Sequence, residues 1–168
     1  MSKTKPVALG GVWMWAYDAS LSLVLAETVR LVEGSLPDRR PAWWSRVERE
    51  LRQQAVVGDV QFDLELGLDD DEREELARLF DEAAELVRER GVFTADEADA
   101  WPILDGFPVI FRGEEPRQTG PAAELGHALA QLIRGTLPVP PQGTVWYYGP
   151  PSGQTMLELA HDRESGTQ

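Results

Sequence analysis

The chain has 168 residues, of which 42% are apolar and 27% charged, with no cysteine and a formal net charge of −13 at neutral pH. That length suits one domain, able to bury roughly 70% of its unfolded surface without a disulfide or metal staple. The missing thiols exclude disulfides, thiolate zinc sites, iron–sulfur clusters and cysteine nucleophiles. The acidity argues against duplex nucleic acid or an anionic membrane as partner, since both need a basic surface.

At the N-terminus, Lys3 and Lys5 precede the apolar stretch PVALGGVWMWA, the pattern of a secretory leader's start. Gly10 and Gly11 interrupt that stretch and no A-x-A site follows closely, so a cytoplasmic chain is expected. Residues 7–17 are apolar in both alternating sets, among them Val12, Trp13, Met14 and Trp15, which predicts one central strand buried on both faces. A helix follows from Asp18 or Ser20 to Glu33, with Leu21, Leu25, Val29 and Val32 on one face and Gly34 as its stop. The apolar stretch from Leu21 to Val32 carries Glu27 and Arg30 and is too short to cross a bilayer, which takes about 20 apolar residues.

Pro41 suits the first turn of a second helix, whose Trp44, Val47, Leu51 and Ala55 recur at helical spacing, with Arg46, Arg49 and Arg52 towards the other side. Residues 60–66 alternate strictly: Val60, Phe62, Leu64 and Leu66 face one way, Gln61, Asp63 and Glu65 the other, as in a half-exposed strand. The next helix has an apolar stripe of Leu76, Leu79, Phe80, Ala83, Leu86 and Val87, acids crowded at its start, Arg88 and Arg90 at its end, and Gly91 as its stop. The helix dipole favours that order of charge. Thr94 and Glu97 form a capping box for a short helix. A strand is expected over 107–112, a helix from Pro121 to Arg134, a stiff proline-rich connector at 136–143, and strands at 144–148 and 155–159. The expected fold is a single α+β domain over 1–160, with a largely antiparallel or mixed sheet of about five strands, helices on at least one face, and a loose tail at 161–168.

The segment Gly149–Thr155 (GPPSGQT) superficially matches a nucleotide-binding loop. It lacks one residue between its glycines, has Gln154 in place of lysine, and Pro150 and Pro151 have no N–H to offer phosphate. A hairpin loop between the last two strands is the better expectation, and no cofactor is expected. Glu124 and His127 share a helix face, yet a dinuclear carboxylate site requires two Glu-x-x-His copies plus two further glutamates, all carried on helices. His161 is the other histidine, and no G-x-S-x-G nucleophile elbow is present. Asp63 and Glu65 share a strand face, which exposes acids to solvent more often than it builds an acid–base pair. No catalytic or metal-binding set is therefore expected.

Two functions from different classes remain. Residues 59–99 hold sixteen acidic side chains against four arginines, a balance of −12. This suggests a non-catalytic binding protein, of the inhibitor or immunity type, that docks a basic protein through Asp63, Glu65, Glu75 and Glu82, because complementary charge accelerates and selects encounters. The alternative is a small-molecule-binding protein or enzyme whose pocket is lined by Trp13, Trp15, Tyr17, Trp146 and Tyr148 on neighbouring strands.

Overall fold

Gly10 and Gly11 divide the apolar N-terminal stretch into two antiparallel strands, β1 (Thr4–Leu9) and β2 (Val12–Tyr17), in place of the single strand expected over 7–17. Gly10 takes φ +60°, a conformation that residues with a Cβ rarely adopt, so the chain reverses there. The computed structural model describes residues 3–58 and 60–160, and the expected tail with His161 lies outside the described residues.

In chain order there follow α1 (Asp18–Glu33), a 3-10 turn (Pro37–Arg39), α2 (Trp44–Val56), β3 (Phe62–Asp63), α3 (Asp70–Arg90), β4 (Val92–Phe93) and α4 (Ala95–Asp99). After these come β5 (Pro102–Leu104), β6 (Phe107–Pro108), β7 (Arg117–Gln118), α5 (Gly120–Arg134), β8 (Thr144–Tyr148) and β9 (Thr155–Glu158). The result is a single α+β domain whose mixed five-stranded sheet runs β3-β1-β2-β8-β9. β1–β2 and β8–β9 are antiparallel, whereas β1–β3 and β2–β8 are parallel. The last two strands form the expected hairpin, with Gly149 and Gly153 both at positive φ in its loop.

Two expected strands are reduced. Over 60–66 only Phe62 and Asp63 pair; Phe62 and Leu64 are buried as the alternation requires and the Leu64 amide still reaches the Ala8 carbonyl at 2.8 Å, but Val60, expected on the same face, is exposed before the strand begins. Over 107–112 only Phe107 and Pro108 are extended, and they pair with β5 away from the main sheet. Pro108 stands opposite Pro102, and two residues without an N–H cannot propagate a ladder.

Register decides which side of the sheet is core. Val7 lies opposite Met14 and Phe62, and Ala16 opposite Tyr148; all five are buried with the helices. The alternate set, including Pro6, Ala8, Trp13, Trp15 and Tyr147, stays outside that core. α3 begins with a complete capping box between Asp69 and Glu72, and Thr94 and Glu97 form the second as expected. α3 and α5 approach closely at Gly126, where an added Cβ would lie 2.7 Å from the Ala84 Cβ. Lys5 is fully buried on the core side, where its Nζ donates to the Gln54 and Val57 carbonyls at 2.9 and 2.8 Å. A cation at the C-terminal end of α2 is favoured by that helix's dipole. No helix among the described residues is long and apolar enough to cross a membrane.

Candidate ligand-binding site

β2 and β8 run parallel side by side, so their carboxyl ends lie together, at Tyr17 and Tyr148. Crevices outside the carboxyl ends of parallel strands are where open α/β sheets commonly bind ligands. Here a cavity of about 220 Å³ opens at that end of the sheet. Tyr17, Ala19, Ser20 and Leu23 enter it from the start of α1, and Thr119, Pro121 and Ala122 from the start of α5. Ile110, Phe111, Arg112, Arg117 and Gln118 close it from the segment before α5, with Phe93, Gly149 and Pro151 completing the wall.

The polar groups differ in how far they are already committed. Arg112 grips Asp18, with Nη2 at 2.5 Å from Oδ2 and Nε at 3.4 Å from Oδ1. Asp18 is 3% exposed, so this pair is an internal tie between α1 and the 110–119 segment. Ser20 donates its hydroxyl to the Gly149 carbonyl at 2.5 Å, and Gly149, at φ +90°, has no room for a Cβ beside Ser20. Arg117 instead donates from Nε and Nη2 to one backbone carbonyl, that of Arg112, at 3.1 and 2.6 Å. It makes no ion pair with any described residue. Thr119 precedes α5 in a helical conformation, φ −90° and ψ −8°, from which its hydroxyl does not cap the helix. Its Oγ1 is buried without a hydrogen-bond partner among the described residues.

No carboxylate or imidazole lines the cavity, although the chain carries 29 acids against 16 lysines and arginines. Burial raises the Tyr17 phenol above its ordinary range, and Asp18 adds to this, while the Arg117 and Arg112 charges pull it back. Neighbouring Tyr147 is pushed up to about 12, by burial first and then by Tyr17 and Asp18. The cavity therefore offers guanidinium, hydroxyl and helix-start groups around an apolar floor, and no side chain that exchanges protons near neutral pH. That chemistry holds and orients a molecule.

The expected aromatic pocket is split by the sheet. Trp15 stands beside Tyr147 and Ala16 beside Tyr148, so Trp13, Trp15 and Tyr17 share one side while Trp146 and Tyr148 share the other. Trp13 and Trp15 pack edge to face with ring centres 5.5 Å apart, and Trp146 and Tyr148 lie 6.2 Å apart within or against the core. Of the five, Tyr17 alone lines the cavity; Trp13 borders a separate hollow beside the 135–140 connector.

Asp63 and Glu65 lie at and just after edge strand β3, where Glu65 pairs with Arg73 at 2.5 Å and Asp63 accepts the Glu65 amide. Glu75 accepts the Trp43 indole N–H at 2.7 Å, and Glu82 is exposed on α3. Glu124 accepts the Gln154 amide at 3.3 Å, whereas His127 lies between Asp81 and Glu85, each at 2.7 Å. Among the described residues no cluster of three or more His, Asp or Glu side chains is arranged to hold a metal.

Arg112, Arg117 and Thr119 were not singled out by sequence reasoning. Their stretch, FRGEEPRQTGP, has the form of a polar turn before a helix, and two arginines five residues apart around a glycine were its one available signal. Protein-family models, curated proteins and solved structures contain no match to the chain.

Proposed function

We propose that this is a small-molecule-binding protein whose ligand occupies the cavity at the carboxyl ends of β2 and β8. One observation carries this: uncommitted polar groups converge on an apolar hollow at a place where a folded chain ordinarily leaves neither void nor unpaired hydroxyl. Its lining lacks proton-transfer groups, which favours a binding role over catalysis. Amide-shift mapping by NMR with a library of small polar aromatics tests it. Shifts clustered on Leu23, Phe111, Arg117 and Thr119, abolished by filling the cavity with Ala19→Trp, are expected. Shifts scattered elsewhere, or unaltered in that variant, would refute it.

A second proposal is docking of a basic protein on the acidic middle segment. It is favoured by Asp70, Asp71, Glu82 and Glu89, which lie on α3 and make no ion pair with a described residue. It is weakened by the acids already taken: Glu65 by Arg73, Glu72 by Arg46, Glu74 by Arg134, and Asp81 by Arg134 and His127. Charge reversal of Asp63, Glu65, Glu75 and Glu82 should abolish capture of a basic partner. Unchanged capture by that variant would dispose of the idea.

A further inference from the structure

Resting on the small-molecule reading above, we infer that the ligand's head group is a single carboxylate on an aryl or branched aliphatic body of about the size of benzoate. The charge comes first. Arg112 is held two-pronged by Asp18, so the cavity's one guanidinium without a carboxylate is Arg117. Two of its five N–H groups go to the Arg112 carbonyl, which fixes the plane of the fork and leaves the others to donate. A planar, preset fork matches a carboxylate with two parallel hydrogen bonds. One uncompensated positive charge balances one negative charge, which disfavours a phosphate dianion.

The second element is Thr119, which borders the cavity, is 1% exposed and has no partner for its hydroxyl. A buried hydroxyl left unpaired is costly, and a ligand oxygen removes that cost. The third is the start of α5, a helix of 15 residues whose Pro121 provides no N–H in its first turn. Thr119 leaves the Ala122 amide uncapped, and the helix end carries partial positive charge. These three groups come from one short segment, Arg117 to Ala122, and all border the cavity, so they lie at one wall of it.

Size and polarity set the body. A cavity of about 150 Å³ accepts benzene, so about 220 Å³ takes a ring or branched chain plus a carboxylate. Leu23, Phe93, Ile110 and Phe111 supply apolar wall for it.

Calorimetric titration of the full chain with benzoate, benzamide and phenyl phosphate tests this. Benzoate is expected to bind at least tenfold more tightly than benzamide or phenyl phosphate, and Arg117→Gln to erase the benzoate preference. Arg117→Lys, which keeps charge without the fork, should recover part of it. Thr119→Val should weaken benzoate several-fold while leaving the protein equally or more heat-stable, which keeps the test open if Arg117→Gln fails to fold. Benzamide binding as tightly as benzoate would overturn the carboxylate inference and leave the cavity reading standing. Phenyl phosphate binding more tightly would overturn the choice of carboxylate. Absence of binding by all three compounds would overturn both.

Discussion

Arg117 is anchored to the backbone of Arg112, five residues earlier, by two hydrogen bonds from one edge of its guanidinium at 3.1 and 2.6 Å. The loop between them holds the fork in place at a glycine. Gly113 sits at φ +84°, and a Cβ there would lie 2.9 Å from the Arg117 Nη2. Gly113→Ala should therefore cost about 1–2 kcal/mol in stability through its left-handed backbone. It should also weaken benzoate binding as Arg117→Lys does, because the fork is displaced with its charge intact. Chemical denaturation paired with calorimetry checks both effects; a stability loss without a binding loss would mean that this loop does not aim Arg117.

The Asp18–Arg112 pair is a tie of a different kind. Removing one partner of a fully buried pair costs about 3–5 kcal/mol. The Arg112 side chain is 26% exposed, which lets water solvate its charge when the Asp18 carboxylate is removed. Asp18→Asn is expected to cost about 2–3 kcal/mol by urea denaturation. A loss below about 0.5 kcal/mol would show the pair behaving like a surface ion pair.

Gly126 makes the α3–α5 contact possible. Alanine is ordinarily the better helix former by about 1 kcal/mol. At this position its Cβ would meet the Ala84 Cβ at 2.7 Å and the Phe80 carbonyl at 3.4 Å. Gly126→Ala should therefore destabilise, by about 1–3 kcal/mol, with overpacking outweighing propensity. A more stable variant would mean that the two helices separate at little cost.

The three tyrosines give a pH signature. Burial raises all three phenols above 10, assisted at Tyr148 by Glu124, and Tyr147 is pushed up to about 12. A folded pKa above the unfolded one means that protonation stabilises the fold. That contribution is fully present below pH 10 and is lost as pH rises through the folded values. Phenolate absorbance should lag behind that of free tyrosine until the fold gives way, and melting temperature should fall between about pH 10 and 12. Normal titration of any tyrosine in the folded protein would contradict that burial.

Much of the fold was legible because local signals agreed. The capping box at Thr94, the glycine stop at 91 and the apolar stripes placed α1, α3, α4 and α5 close to where they are observed, whereas α2 begins at Trp44, three residues after the Pro41 expected in its first turn. The hairpin at 144–158 followed from alternation and a glycine–proline turn. The N-terminal hairpin was lost because Gly10 and Gly11 lie inside a run that is apolar in both registers, so periodicity cannot reveal the reversal. The strand at 107–112 failed on its pairing partner, which no local pattern encodes. The site was least legible. Tyr17 lies about a hundred residues from Arg117 and Thr119, and they meet because the starts of α1 and α5 come together at the end of the sheet, a non-local fact. The aromatics drew attention as large residues, yet the register between β2 and β8, which the sequence does not show, places them on opposite sides of the sheet.

The central claim is that the hollow at the ends of β2 and β8 is a binding site. Isotope-edited NMR on the protein with benzoate tests it most directly, through contacts between the ligand's ring protons and side-chain methyls. Contacts to Leu23 and Ile110 are the predicted result. Contacts instead to Leu132 and Leu137, which line the separate hollow by the 135–140 connector, would contradict it.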